Sequence, residues 1–200
     1  MLSEIKDRRS IRKYKKLPVP VHMIEEIIQA GILAPSARNR QPWRFIVVSD
    51  EAKEEMVAVM RKGLEREKRE PLLPDDVPLL GGVENSIRIM EQAPVVIMVE
   101  NPLGTDLRDS LDTSEHVDEI CNAQSVGAAI ENMILTATNL GLGSLWICDI
   151  FHMYRELCDW LGCSGELFAA VAIGYADEAP ASRPRKTMDM VVEWKSKPNE

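Results

Sequence analysis

Arginines set close together carry the first chemical signal in this chain. Arg8, Arg9 and Arg12 flank Ser10 within five residues. A guanidinium is a rigid fork of N–H donors that matches a phosphate, and a neighbouring hydroxyl adds one donor more. A second basic cluster, Arg183-Pro-Arg185-Lys186, lies near the other end. Between them stand two further candidates. Ala34-Pro35-Ser36-Ala37-Arg38-Asn39-Arg40-Gln41-Pro42-Trp43 is a polar loop whose Ser36, Asn39 and Gln41 can hydrogen-bond the edge of a flat heterocycle. Gly141-Leu-Gly143-Ser144 offers two glycines that let backbone approach a ligand. Taken singly, each motif has a plainer reading: a solvated basic terminus, turn chemistry, a helix stop, a basic tail. The glycine turn is not a dinucleotide fingerprint, because position 146 is Trp and the order runs helix to strand.

Several kinds of chemistry lack their residues. There is no Gly-x-Ser-x-Gly elbow and no Ser-His-Asp order. Cys121, Cys148, Cys158 and Cys163 form no Cys-x-x-Cys, and His22, His116 and His152 are far apart, so no zinc site is expected. Glu131 reads as a paired buried carboxylate, Cys148 lacks a nucleophile's motif, and the ten methionines read as core filling. The 24 Lys and Arg against 32 Asp and Glu give a net charge of −8, which argues against nucleic-acid binding. No secretory signal or membrane-length apolar run is seen, so the expectation is a reduced, cytoplasmic protein.

The elements that must position these residues follow from periodicity. Residues 21–33 read as a helix with Ile24, Ile27, Ile28 and Ile32 on one face, and 51–62 as another, capped by Asp50. Residues 43–48, 95–99, 144–148 and 168–173 read as strands, and 152–161 as a short helix. The longest helix spans 115–140. From Ile120 to Leu140 its only charge is Glu131, so it must be buried on most sides, and a second copy of the chain would bury it well. Gly141 ends it. Residues 63–92, with the charged run 65–70 and three prolines and two glycines in 71–82, read as an irregular excursion of the kind that forms lids. No linker divides the chain. One α+β domain over 1–200 is expected.

In this order the motifs resemble the nitroreductase family: Arg-Arg-Ser-Ile-Arg-Lys-Tyr, Ala-Pro-Ser-Ala-x-Asn-x-Gln-Pro-Trp, Ala-Pro-Val-Val, Gly-Leu-Gly-Ser-Leu-Trp and Arg-Pro-Arg-Lys. They span roughly residues 3–194, and their combination is specific. The resemblance implies a mainly antiparallel sheet flanked by helices, in an interlocked homodimer with FMN at the subunit interface. It implies phosphate and ribityl contacts from Arg8, Arg9 and Ser10, and a basic residue, Arg12, near the pyrimidine edge of the ring. It implies a partner-subunit loop carrying Pro35, Ser36, Ala37 and Asn39, a turn of Gly143 and Ser144 against the ring's carbonyl edge, and a phosphate contact from Arg185, with Arg183 or Lys186 as alternates.

The chemistry so implied is ping-pong hydride transfer from NADH or NADPH, through FMN, to an electron-poor acceptor such as a nitroarene or quinone. The flavin supplies the reactivity, so no acid–base dyad is required. Other proteins of this fold dehalogenate, reduce enoyl groups or break down flavin, and a non-catalytic FMN-binding dimer is a further alternative. The sequence chooses neither the nicotinamide nor the acceptor, and residues 63–92 match no family motif.

Overall fold

The computed structural model describes residues 1–196. Its elements in chain order are α1 (Ser3–Asp7), α2 (Val21–Ile32), β1 (Arg44–Ser49), α3 (Glu51–Arg69), α4 (Leu80–Gln92), β2 (Val95–Asn101), α5 (Thr113–Asn139), β3 (Gly143–Ile147), α6 (Tyr154–Leu161), β4 (Glu166–Gly174) and α7 (Met188–Val191). Short 3-10 turns occupy Ala37–Asn39, Pro74–Leu79 and Asp149–Met153.

The four strands form one antiparallel sheet in the order β1-β2-β4-β3. Every residue of β2 is buried, because helices cover both faces of the sheet. Strand alternation divides its side chains. Val96, Met98, Ala170, Ala172, Leu145 and Ile147 pack with α3, α4 and α6. Val95, Ile97, Val99, Ala169, Val171 and Ile173 pack beneath α5 and α2. The result has three layers, and its α+β class is the one expected from the interleaved helices and strands of the sequence.

The long helix runs over Thr113–Asn139 rather than 115–140. Asp112 starts it two residues early by accepting from the Ser114 and Glu115 amides at 2.7 and 2.9 Å. The Glu115 carboxylate in turn accepts from the Asp112 amide at 2.8 Å, closing a capping box. Gly141, at φ 76°, ends the helix in the left-handed region. Val126, Ile130, Met133, Ile134 and Ala137 form its buried stripe. Val117 and Ile120 stay about half exposed, at 53% and 47%, so one chain leaves apolar surface of α5 uncovered. Glu131 is half buried and has no ion-pair partner among the described residues, unlike the paired carboxylate its place in the sequence suggests.

Residues 63–92 are not an irregular excursion. α3 continues to Arg69, since the stripe Met56, Val57, Met60, Leu64 keeps its helical spacing past 62. α4 follows, with Leu80, Val83, Ile87 and Met90 on its buried face. Pro74 opens the intervening 3-10 turn, where a missing N–H costs nothing. The charged run conceals Glu67, whose side chain is fully buried. Its carboxylate accepts from the Leu72 and Leu73 amides at 3.0–3.1 Å and from Arg66. Arg66 in turn forks onto Glu156 at 3.1 Å, tying α3 to α6. These bonds hold Glu67 below the ordinary carboxylate range, although burial opposes them.

Candidate functional site

Tertiary contacts join three of the four motifs. The stretch after α1 runs beside β3, where Ser10 bridges Ser144 in parallel and the Ile11 amide donates to the Ser144 carbonyl at 3.0 Å. It then pairs with the chain beyond β4: the Lys15 amide donates to Tyr175 O at 2.8 Å and the Asp177 amide to Lys13 O at 2.9 Å. Ile11 and Tyr14 are buried anchors for this extension. The Tyr14 hydroxyl lies 2.9 Å from the Ile11 carbonyl and 3.2 Å from that of Ala172, and burial raises its pKa, keeping it neutral. Arg12, between these two anchors, is exposed.

Two clefts flank the extension. One, of about 320 Å³, is lined by Arg8, Arg9, Ser10 and Arg12 on one side and by Pro180–Arg183 and Arg185 on the other. The other, of about 330 Å³, lies between Arg8, Arg9, Ile11, the last turn of α5, Gly141–Gly143 and Glu178. The two arginine clusters thus meet, although about 170 residues separate them in sequence. Lys186 is absent from the lining of both clefts, so Arg183 and Arg185 are the tail residues present.

The electrostatics of the first cleft are unusual for an acidic protein. Among the described residues, none of Arg8, Arg9, Arg12, Arg183 and Arg185 forms an ion pair. Their donors reach only carbonyls: Arg9 to Lys6 and Arg8 at 2.8 Å, Arg12 to Ser10 at 3.1 Å, Arg185 to Arg183 and Pro184 at 3.5 Å. Five guanidiniums around one cleft with no ion-pair partner among the described residues, beside the Ser10 hydroxyl, fit a phosphate dianion.

Gly143 is the small residue that this junction needs. A Cβ there would stand 2.7 Å from Ile11 Cγ1, so any larger residue would push the arginine-bearing strand off β3. Ser144 is buried beside it. Sequence reasoning missed Glu178, whose carboxylate accepts from the Arg12 and Lys13 amides and holds the extension in place. No local signal marks it, since Glu178 is 166 residues from Arg12.

The loop of Pro35, Ser36, Ala37 and Asn39 stands elsewhere. It is tied to the first half of α5: the Ala37 amide donates to Ser125 Oγ at 3.2 Å, and Arg40 pairs with Asp118 at 2.8 Å. The arginine stretch is tied to the last turn of α5, where Asn139 donates to Glu4 at 3.1 Å. At 1.5 Å rise per residue, the attachment points are roughly 20–30 Å apart along the helix. No residue of 35–39 lines either cleft. The loop is rigid in its own right. Ser36 Oγ accepts from the Gln41 amide at 3.0 Å, and Arg38, Asn39 and Gln41 all sit at positive φ, 53°, 54° and 50°. Held strain of this kind clusters at ligand sites.

Among the described residues, no three His, Cys, Asp or Glu side chains gather in a way that could hold a metal ion. No helix there is long and apolar enough to cross a membrane.

The family model described as the nitroreductase family matches residues 5–175. A Bacillus subtilis (strain 168) protein named as an NAD(P)H nitroreductase, YfhC, is 30% identical over 187 residues, covering 90% of this chain and 87% of its own. A Desulfovibrio desulfuricans protein described as a nitroreductase, solved in complex with FMN, is 28% identical with a TM-score of 0.69, covering 97% of this chain and 96% of that one. A BluB-like flavoprotein from Clostridium difficile 630 is 26% identical with a TM-score of 0.76, covering 97% and 98%. The fold, the converging motifs and these matches agree: the chain belongs to the nitroreductase family.

Proposed function

We propose that this protein is an FMN-dependent oxidoreductase that takes hydride from NADH or NADPH and passes it to an electron-poor small acceptor, a nitroarene or quinone, in ping-pong order. The cleft of uncompensated arginines carries the reading, because a phosphate dianion is the ligand that such a set of donors suits. The FMN-bound relative and the NAD(P)H-named relative support the cofactor and the electron donor.

The residues present fit FMN. Arg8, Arg9 and Arg185 hold the phosphate, with Arg183 beside them, and Ser10 gives a hydroxyl to the ribityl chain. Gly143 and Ser144 would meet the ring's carbonyl edge through their backbone. Arg12 sets a positive charge where negative charge develops on the pyrimidine side. Bound FMN supplies the two-electron hydride chemistry itself.

The protein works as a homodimer in this reading. The loop Pro35–Asn39 lies too far from its own chain's cleft to complete it, and a partner's loop does so instead. The uncovered Val117 and Ile120 of α5 support the same pairing. The 3-10 turn Pro74–Leu79, with Val77 and Leu79 exposed, is the part of 63–92 available as a cover over the acceptor.

Purification without added flavin tests the reading. The protein should be yellow, release FMN on denaturation, and turn over NADH or NADPH with a quinone. Colourless protein that takes up no FMN on reconstitution would overturn it.

A further inference from the structure

We propose that Cys158 and Cys163 form a peroxide-sensitive dithiol that closes to an intramolecular disulfide across the end of α6. The inference stands apart from the flavin site.

The geometry comes from the way α6 stops. Gly162 takes the left-handed conformation at φ 60°, and the Cys163 amide donates to the Cys158 carbonyl at 3.0 Å. This is the 6→1 bond of a Schellman motif, whose two end residues bring their side chains into contact. With standard bond lengths, that hydrogen bond keeps the two Cα atoms within roughly 7 Å, and bending at the carbonyl shortens the span into the window of about 4.4–6.8 Å that a disulfide requires. The turn is also held from below. The Ser164 and Gly165 amides donate to the buried Glu100 carboxylate at 2.6 and 3.1 Å, and Arg44 donates to the Gly162 carbonyl at 3.2 Å. Cys163 is therefore presented to Cys158 by a fixed turn. Both thiols are free and partly exposed.

Their environments divide the roles. Hydrogen bonds from the Cys163 thiol, the Tyr154 hydroxyl and the Leu167 amide lower the Cys158 pKa, outweighing burial and nearby Asp106. The same pairing raises that of Cys163. Cys158 is thus the attacking thiolate and Cys163 the resolving thiol. Burial and Asp149 raise the Cys148 thiol, so its greater exposure does not make it the reactive one.

With hydrogen peroxide as oxidant, the Cys158 thiolate attacks one oxygen and the O–O bond breaks. Hydroxide leaves and takes a proton to become water, and the sulfur becomes a sulfenic acid. Cys163 then loses its proton and attacks that sulfur, expelling a second water as the S–S bond forms. Both thiols are oxidised, and one peroxide is reduced to two waters. Dithiothreitol reverses the step.

The test uses the purified, reduced, full chain, treated natively with hydrogen peroxide, alkylated, and only then denatured. Free thiols should fall from four to two, and a non-reducing digest should contain one peptide pair joined through Cys158 and Cys163. The linkage should form faster in the native protein than in urea, since the native turn holds the two residues together and its hydrogen bonds favour the Cys158 thiolate. In Cys163→Ser, Cys158 should be trapped by dimedone as a sulfenic acid; in Cys158→Ser, position 163 should stay reduced. Four surviving thiols, a bridge through Cys121 or Cys148, a bridge between chains, or equal rates in native and urea-treated protein would overturn the proposal.

Discussion

The Ile11 amide donates to the Ser144 carbonyl at 3.0 Å, and this bond fastens the arginine stretch to the glycine turn. Gly143 makes the contact possible. In Gly143→Ala, the new methyl would meet Ile11 Cγ1 at 2.7 Å, in a packed environment with Ile11 6% exposed. Overpacking should cost about 1–3 kcal/mol of stability. FMN affinity should fall together with it, because Ser10 and Arg9 ride on the displaced strand. Urea unfolding and a flavin titration on one preparation check both; a loss of stability with unchanged affinity would separate the junction from the site.

Arg8→Ala should weaken FMN binding by about 1.5–3 kcal/mol, the worth of a hydrogen bond to a charged group. Folding stability should hardly change, since Arg8 is in no ion pair among the described residues. Fluorescence titration with FMN reads the first quantity and thermal melting of the apoprotein the second. An unchanged dissociation constant would return Arg8 to the solvated surface.

Each complete site should draw on two chains. Arg8→Ala and a loop variant, Asn39→Ala, should each be impaired as homodimers. Unfolding and refolding an equimolar mixture should then restore activity above that of either parent, because half of the hybrid's sites contain neither substitution. A mixture no better than the average of its parents would mean that both residues serve the site of a single chain.

Glu67 should matter more at neutral pH than in acid. Its pKa is lowered in the folded state by the Leu72 and Leu73 amides and by Arg66. A depressed carboxylate contributes stability above its unfolded value, here near 4.5, and loses it as pH falls through the folded value. Glu67→Gln should therefore cost about 1.5–3 kcal/mol at pH 7, with the deficit shrinking below pH 4.5. Denaturant midpoints at the two pH values test the sign.

Glu166 should behave in the opposite way. Burial and the neighbouring Glu119 push it up to about 7. Folding then holds a proton that the unfolded chain releases near 4.5, so stability falls as pH rises from there to about 7. Glu166→Gln should be the more stable protein at pH 8, by about 1–3 kcal/mol after allowance for solvent screening, and show no advantage at pH 4.5. Equal pH profiles for the two proteins would dismiss the shift.

Replacing only the Pro74–Leu79 turn by a short Gly-Ser bridge should leave flavin content intact and reorder nitroarenes and quinones by kcat/KM. α3 and α4 carry the core contacts on either side and remain whole. An unchanged order would remove this turn from acceptor selection.

Much of this protein can be read from local pattern alone. The isoleucine stripe of α2, the unbroken apolar run Val95–Val99 and the glycine after α5 declare their elements, because burial and helix stopping act over a few residues. The arginine, glycine and loop motifs declare the family by their order. Residues 63–92 misled for a physical reason: Pro74, Pro78 and a charged run look like punctuation, but a helical stripe continues on both sides, and Glu67 is charged yet buried. Only the tertiary structure brought Arg8 beside Arg185 and hung the backbone of Arg12 on Glu178, since those contacts depend on where β3 and β4 lay the chain. It also set the Ser36–Asn39 loop at the far half of α5 from its own arginines. One long helix separates two motifs that the order of the sequence invites one to join.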